Sequence, residues 1–113
     1  MNMRTVDSIL EWFEEAVAER QVVTPSQWVD AGLLLNALMG EEHAKLAELE
    51  HQVSVIQLQH LGEGKSAAYA KVAVKATDSY RDFTIQKMKC ERVVEFIRLA
   101  KKRAQMASDE IGL

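Results

Sequence analysis

A single cysteine, a single proline and five glycines are spread over 113 residues, and each shortage excludes a class of protein. The lone Cys90 rules out an intrachain disulfide and points to a reducing, cytoplasmic compartment. So little proline and glycine is incompatible with a loop-rich or collagen-like chain. Aromatic residues are only 6% of the total, so aliphatic side chains must build most of any core. The longest largely apolar run, Ala31 to Met39, is far shorter than the roughly 20 residues of a membrane span, and no membrane association is expected. The opening Met-Asn-Met-Arg turns acidic at once and lacks the pattern of a secretory or transit signal.

What is present is helix-forming. Hydrophobic residues are 48% and charged residues 27%, too apolar for a disordered chain and dominated by Ala, Leu, Glu, Lys, Gln and Arg. The length suits a single domain over 1–113. The net charge of −3 conceals a split. Residues 1–62 carry ten acids and three Lys/Arg, whereas residues 63–113 carry seven acids and eleven Lys/Arg. Such a split means either a basic nucleic-acid face or two arms that neutralise each other.

The periodicity predicts three helices, over about 6–20, 25–61 and 65–107. In the first, Val6, Ile9, Leu10, Phe13, Ala16 and Val17 share one face, with Glu11, Glu14, Glu15 and Glu19 largely off it. The second opens on the sharpest local signal in the chain. Thr24 is an N-cap, Pro25 stands at N1, Gln27 closes a capping box, and Val23 with Trp28 form a hydrophobic staple. Its inward stripe is Leu35, Met39, Glu42, Leu46, Leu49, Val53, Ile56 and His60, in heptad spacing interrupted by Glu42. Gly40 is a place for a bend within one helix. Gly62-Glu63-Gly64 is the only glycine cluster and ends that helix, with Gly62 as the left-handed residue. Ser66 helps start the third helix, whose stripe is Tyr69, Ala73, Ala76, Tyr80, Phe83, Lys87, Cys90, Val94, Ile97, Lys101 and Ala104. A second apolar line, Ile85, Met88, Phe96 and Leu99, runs beside it. The expected fold is all-α: a short N-terminal helix followed by a long antiparallel, coiled-coil-like helical hairpin. One hairpin cannot bury both apolar lines, so self-association into a homo-oligomer is expected.

Familiar chemistry is hard to find. Gly64-Lys65-Ser66 resembles the end of a phosphate-binding loop, but Gln59 replaces the required first glycine and a helix precedes it. Glu48-x-x-His51 has the spacing of one ligand pair in a di-iron bundle, yet no second such pair exists. A metal-binding bundle is therefore the third reading, open only to a symmetric oligomer. His43 and His60 match no ligand set, and Cys90 sits on the packing stripe. No catalytic, cofactor or metal residue is assigned, and the chain is read as a non-enzyme.

Two sets of residues remain as candidates. Ile85, Met88, Phe96 and Leu99 are candidate protein-contact residues. Arg98, Lys101, Lys102 and Arg103, within the basic stretch 87–103, are candidate phosphate contacts for nucleic acid. The absence of interleaved aromatics and a pI near 5.6 argue against the second set.

From Pro25 onward, the blocks WVDAGLLLNALMGEEHAKLAEL (28–49), GKSAAYAKVAVKAT (64–77) and YRDFTIQKMKCERVVEFIRLAKKRA (80–104) resemble small helical proteins encoded by bacteriophages and prophages. The resemblance implies a viral protein in the host cytoplasm and assigns no residue a role. The leading expectation is thus a phage-type interaction protein that binds a host or phage protein as inhibitor or accessory factor. A nucleic-acid-binding accessory protein is the alternative.

Overall fold

The computed structural model describes residues 5–110, with side chains as far as residue 106. Among the described residues there are four helices and no strand: α1 (Val6–Ala18), α2 (Pro25–Gly62), α3 (Ala67–Lys75) and α4 (Asp78–Glu110). The fold is all-α, and α2 and α4 pack closely as arms of a helical hairpin. The described residues fall into two compact units, 5–40 with 91–110, and 41–90.

Each helix starts where a side chain accepts an orphan backbone N–H. At α1, the Ser8 N–H donates to Thr5 Oγ1 (3.1 Å) and the Thr5 N–H donates to Ser8 Oγ (3.1 Å). The predicted box at α2 is present: the Gln27 N–H donates to Thr24 Oγ1 (3.2 Å) and the Thr24 N–H to Gln27 Oε1 (2.9 Å). Ser66 caps α3 by accepting from the Tyr69 N–H (3.1 Å). Helix α2 runs through Gly40 without interruption.

Two helix ends use the same closing geometry. After α1, the Gln21 N–H donates to Ala16 O (2.8 Å) and the Arg20 N–H to Val17 O (3.1 Å), with Arg20 at φ 55°. After α2, the Lys65 N–H donates to His60 O and the Gly64 N–H to Leu61 O, both at 3.1 Å, with Gly64 at φ 83°. Both are Schellman closures, which place one residue in the left-handed region. The left-handed residue of the turn is therefore Gly64, whereas the sequence suggested Gly62, which is the last residue of α2.

The expected continuous helix over 65–107 is instead two, parted at Ala76-Thr77. Thr77 explains the break. Its Oγ1 donates to the Val74 carbonyl (2.6 Å) and accepts from the Tyr80 N–H (3.2 Å), closing α3 and capping α4 with one hydroxyl. Asp78 then occupies the first turn of α4, where the helix dipole favours an acid.

In the first unit, Val6, Ile9, Leu10, Phe13 and Ala16 of α1 are buried, as are Ala31, Leu35 and Met39 of α2 and Val93 and Ala100 of α4. Phe13 is the hub: its ring centroid lies 4.8 Å from Trp28, 4.5 Å from Phe96 and 4.4 Å from Trp12. In the second unit α2 runs antiparallel to α3 and α4. His60 packs edge-on against Tyr69 (5.7 Å) near the turn, while Glu42 meets Gln86 farther from it.

The α2 stripe lies where the spacing put it: Leu35, Met39 and Glu42 are buried, and Leu46, Leu49, Val53, Ile56 and His60 are half-buried. In α4 the inward line is Phe83, Gln86, Cys90, Val93, Ile97, Ala100 and Ala104. Four of these residues are on the predicted stripe, but Gln86, Val93 and Ala100 take the places assigned to Lys87, Val94 and Lys101. Both choices have heptad spacing, and the ladder that keeps Lys87 and Lys101 in water is the one adopted. Upstream of the break, Ala70 and Val74 point inward, whereas Tyr69 and Ala76 are exposed.

Candidate interaction site

The centre of the second unit is polar. Glu42, only 5% exposed, interrupts the apolar stripe of α2. Gln86 Nε2 donates to its carboxylate (2.7 Å) and to its main-chain oxygen (2.9 Å). Lys89 Nζ approaches the carboxylate at 3.3 Å and Lys45 Nζ at 3.6 Å, while the Cys90 Sγ lies 3.7 Å from the Glu42 carbonyl. Burial pushes the Glu42 carboxyl up, but the Gln86 hydrogen bond and the two lysines outweigh it. The group is held below the ordinary carboxylate range. This is a satisfied polar layer between α2 and α4. The glutamate was visible in the sequence as a break in the stripe; Gln86, its partner, was not singled out.

The candidate protein-contact residues separate by burial. Ile85 and Met88, one turn apart on α4, are each 58% exposed, and Leu99 is also exposed. Phe96 is half-buried, with its ring against Phe13 and Trp28. It belongs largely to the core of the first unit because α1 folds over it, a contact that helical periodicity within α4 could not foretell.

The candidate phosphate contacts Arg98, Lys101, Lys102 and Arg103 are all exposed, and among the described residues none is in an ion pair. Elsewhere the basic arm meets acids: Arg92 of α4 hydrogen-bonds Glu14 of α1, and Lys89 pairs with Glu42 of α2. Part of the charge split is thus neutralised within the chain.

The first unit carries two open grooves. One, about 500 Å³, lies between α1 and α4, with Leu10, Val17 and Leu99 on its walls and the Glu14–Arg92 pair at its edge. The other, about 510 Å³, lies between α2 and α4 on a face that α1 does not line. Val29, Leu33, Ile97 and Ala104 form its apolar walls, and Lys101 is its one charged residue. The helices approach closely there, since a Cβ on Gly32 would sit 3.5 Å from the Ala100 Cβ. Small residues at the crossing leave the flanking side chains apart and the groove open.

The other sequence candidates stay dispersed. Glu48 and His51 are exposed, and among the described residues no group of three or more His, Cys, Asp or Glu side chains is placed to hold a metal ion. His60 Nδ1 is buried without a hydrogen-bond partner, 3.9 Å from a Glu63 carboxylate oxygen. Lys65, of the loop-like Gly64-Lys65-Ser66, lies over the Tyr69 ring at 5.3 Å rather than beside a cradle of backbone N–H groups. Among the described residues no helix is long and apolar enough to cross a membrane.

These features define an all-α helical-hairpin protein with apolar surface exposed in both units. Comparison with protein-family models, curated protein sequences and solved structures gave no match.

Proposed function

We propose that this chain is a non-enzymatic interaction protein that self-associates and binds another protein through exposed helical faces. The observation that supports this reading best is the pair Ile85 and Met88, large apolar side chains one turn apart and each more than half exposed. Adjacent i, i+3 side chains form a stripe of the kind that helix pairing buries, and leaving them in water forfeits roughly 1–2 kcal/mol each. Following the resemblance to phage-encoded helical proteins, the partner is a host or phage protein, in the cytoplasm. Multi-angle light scattering on the wild type and on an Ile85→Glu, Met88→Glu double variant tests the self-association. The wild type should be larger than a monomer and the variant monomeric, with helicity unchanged. A monomeric wild type at high protein concentration removes this part of the proposal.

A second reading rests on Arg98, Lys101, Lys102 and Arg103, four exposed cations within six residues that have no ion-pair partner among the described residues. As nucleic-acid contacts they would bind phosphates without sequence preference, and affinity would fall steeply with salt. Unchanged mobility of DNA and RNA at low salt would sink it.

A further inference from the structure

The connection between α1 and α2 is closed against the preference of its own sequence. The pattern predicts a first helix to about residue 20, and Glu19, Arg20 and Gln21 are strong helix formers. No glycine or asparagine, the usual left-handed residues, stands between Thr5 and Ala31. Helix α1 nevertheless ends at Ala18, and the Schellman closure puts Arg20 at φ 55°. The turn after α2 makes the same closure with Gly64, which has no Cβ to oppose it. Glu19, Arg20, Gln21 and Val22 are exposed, Val22 by 90%, so packing does not hold this turn shut. Local sequence and fold are in conflict here.

What holds α1 in place is its apolar face. Val6, Ile9, Leu10, Phe13 and Ala16 are buried, and the Phe13 ring lies 4.8 Å from Trp28 and 4.5 Å from Phe96. Those contacts do not depend on which chain supplies α1. On an opened connection, α1 makes them equally well on a second copy, which is the condition for exchanging an identical element between protomers. Opening brings two gains. Arg20 leaves the left-handed region, and α1 continues as helix through Val22 until Pro25, whose ring keeps Thr24 extended, restarts the chain as α2. Short hinge loops under strain favour exchange for this reason. Against it stands the tether, which holds α1 at an effective concentration of about 1 mM on its own chain.

We propose that residues 19–24 are a hinge through which two copies of this chain exchange α1, each α1 packing on the α2 and α4 of the other copy. Arg20 is the switch residue: left-handed in the closed chain and helical in the exchanged pair. Exchange goes beyond the interaction reading, because it uses the core of the first unit rather than the exposed Ile85 and Met88. In dilute solution the tether keeps α1 at home, and near the effective concentration of the tether exchange takes over.

The test uses the full chain. Isotope-labelled and unlabelled copies are refolded together at about 1 mM, and isotope-filtered NOE spectra are read at Phe13. Cross-peaks from the Phe13 ring of one copy to Trp28 and Phe96 of the other are expected, with helical carbon shifts continuing through residues 19–22. Arg20→Gly relaxes the closed turn and weakens the extended helix in both copies, so it should lower the dimerisation constant about tenfold or more. Arg20→Val, whose β-branch fits the left-handed region worse, should raise it about tenfold with helicity intact. Absence of intermolecular Phe13 cross-peaks in both the wild type and Arg20→Val would overturn the proposal. So would an exchanged fraction indifferent to both substitutions. An oligomer whose Phe13 contacts are all intramolecular would overturn exchange yet leave self-association through Ile85 and Met88 standing, so the two failures are distinguishable.

Discussion

Replacing Glu42 by alanine, glutamine and leucine in turn separates what a buried charge costs from what its partners need. Alanine removes the carboxylate that accepts from Gln86 at 2.7 Å and faces Lys89 at 3.3 Å. Gln86 keeps the Glu42 main-chain oxygen at 2.9 Å as an acceptor, and Lys89, 21% exposed, keeps some access to water. The lost charged hydrogen bond is worth about 1.5–3 kcal/mol and the lost methylene about 0.8 kcal/mol. Lys45, 62% exposed, adds nothing measurable. The expected loss is therefore about 3 kcal/mol for Glu42→Ala and about 1–2 kcal/mol for Glu42→Gln, which keeps an acceptor but not the charge. Glu42→Leu fills the stripe and removes the desolvation penalty, so it should lie within about 1 kcal/mol of wild type.

Urea unfolding followed by far-UV circular dichroism at neutral pH ranks the three. The reasoning also fixes a pH dependence. A folded-state carboxyl held below its ordinary value of 4.5 contributes stability that is full above that value and is lost as pH falls through the folded value. The gap between wild type and Glu42→Gln should therefore be constant above about pH 5 and shrink in acid. If alanine costs less than about 1 kcal/mol, or leucine costs as much as alanine, the polar layer does not act as described.

Five further changes test the rest of the fold. Phe13→Ala should cost about 3–5 kcal/mol, because the ring is 3% exposed and joins three aromatic neighbours; denaturant midpoints would show it. Gly40→Ala should stabilise by about 0.5–1 kcal/mol, since α2 is continuous there and an added Cβ meets nothing within 4 Å; a lower Tm would contradict it. Arg20→Gly should stabilise by about 1 kcal/mol by relieving a left-handed non-glycine residue, whereas Gly64→Ala should cost about as much at the equivalent position. Equal and opposite Tm shifts for that pair would be the signature. Thr77→Ala should cost about 1 kcal/mol through loss of the α4 cap, read as increased amide exchange at Asp78 to Tyr80.

Local signals were legible because they depend on neighbours in the chain. Thr24, Pro25 and Gln27 form a capping box with groups three residues apart, and a reader needs no tertiary structure to see it. The stripe from Leu35 to His60 was equally plain, since one helix pitch orders it. The cap at Thr77 was local too, and the Thr-Asp-Ser run announced it, but the strong helix formers on either side hid the break. The register of α4 was less legible. Phe83, Cys90, Ile97 and Ala104 serve either of two interleaved ladders, and only the facing helix distinguishes Gln86, Val93 and Ala100 from Lys87, Val94 and Lys101.

By itself, then, the sequence determined the helical class, the starts of α1 and α2, the glycine turn and the opposed charges of the two arms, because propensity, caps and periodicity act over a few residues. Tertiary structure alone decided three things. Glu42, inward by its spacing, is satisfied there by hydrogen bonding and charge, since its chief partners lie more than 40 residues away. Phe96 packs largely inside rather than waiting for a partner, since α1 returns to cover it. The open groove between α2 and α4 exists because Gly32 and Ala100 meet at the crossing, a pairing of distant small residues that no pattern within either helix encodes.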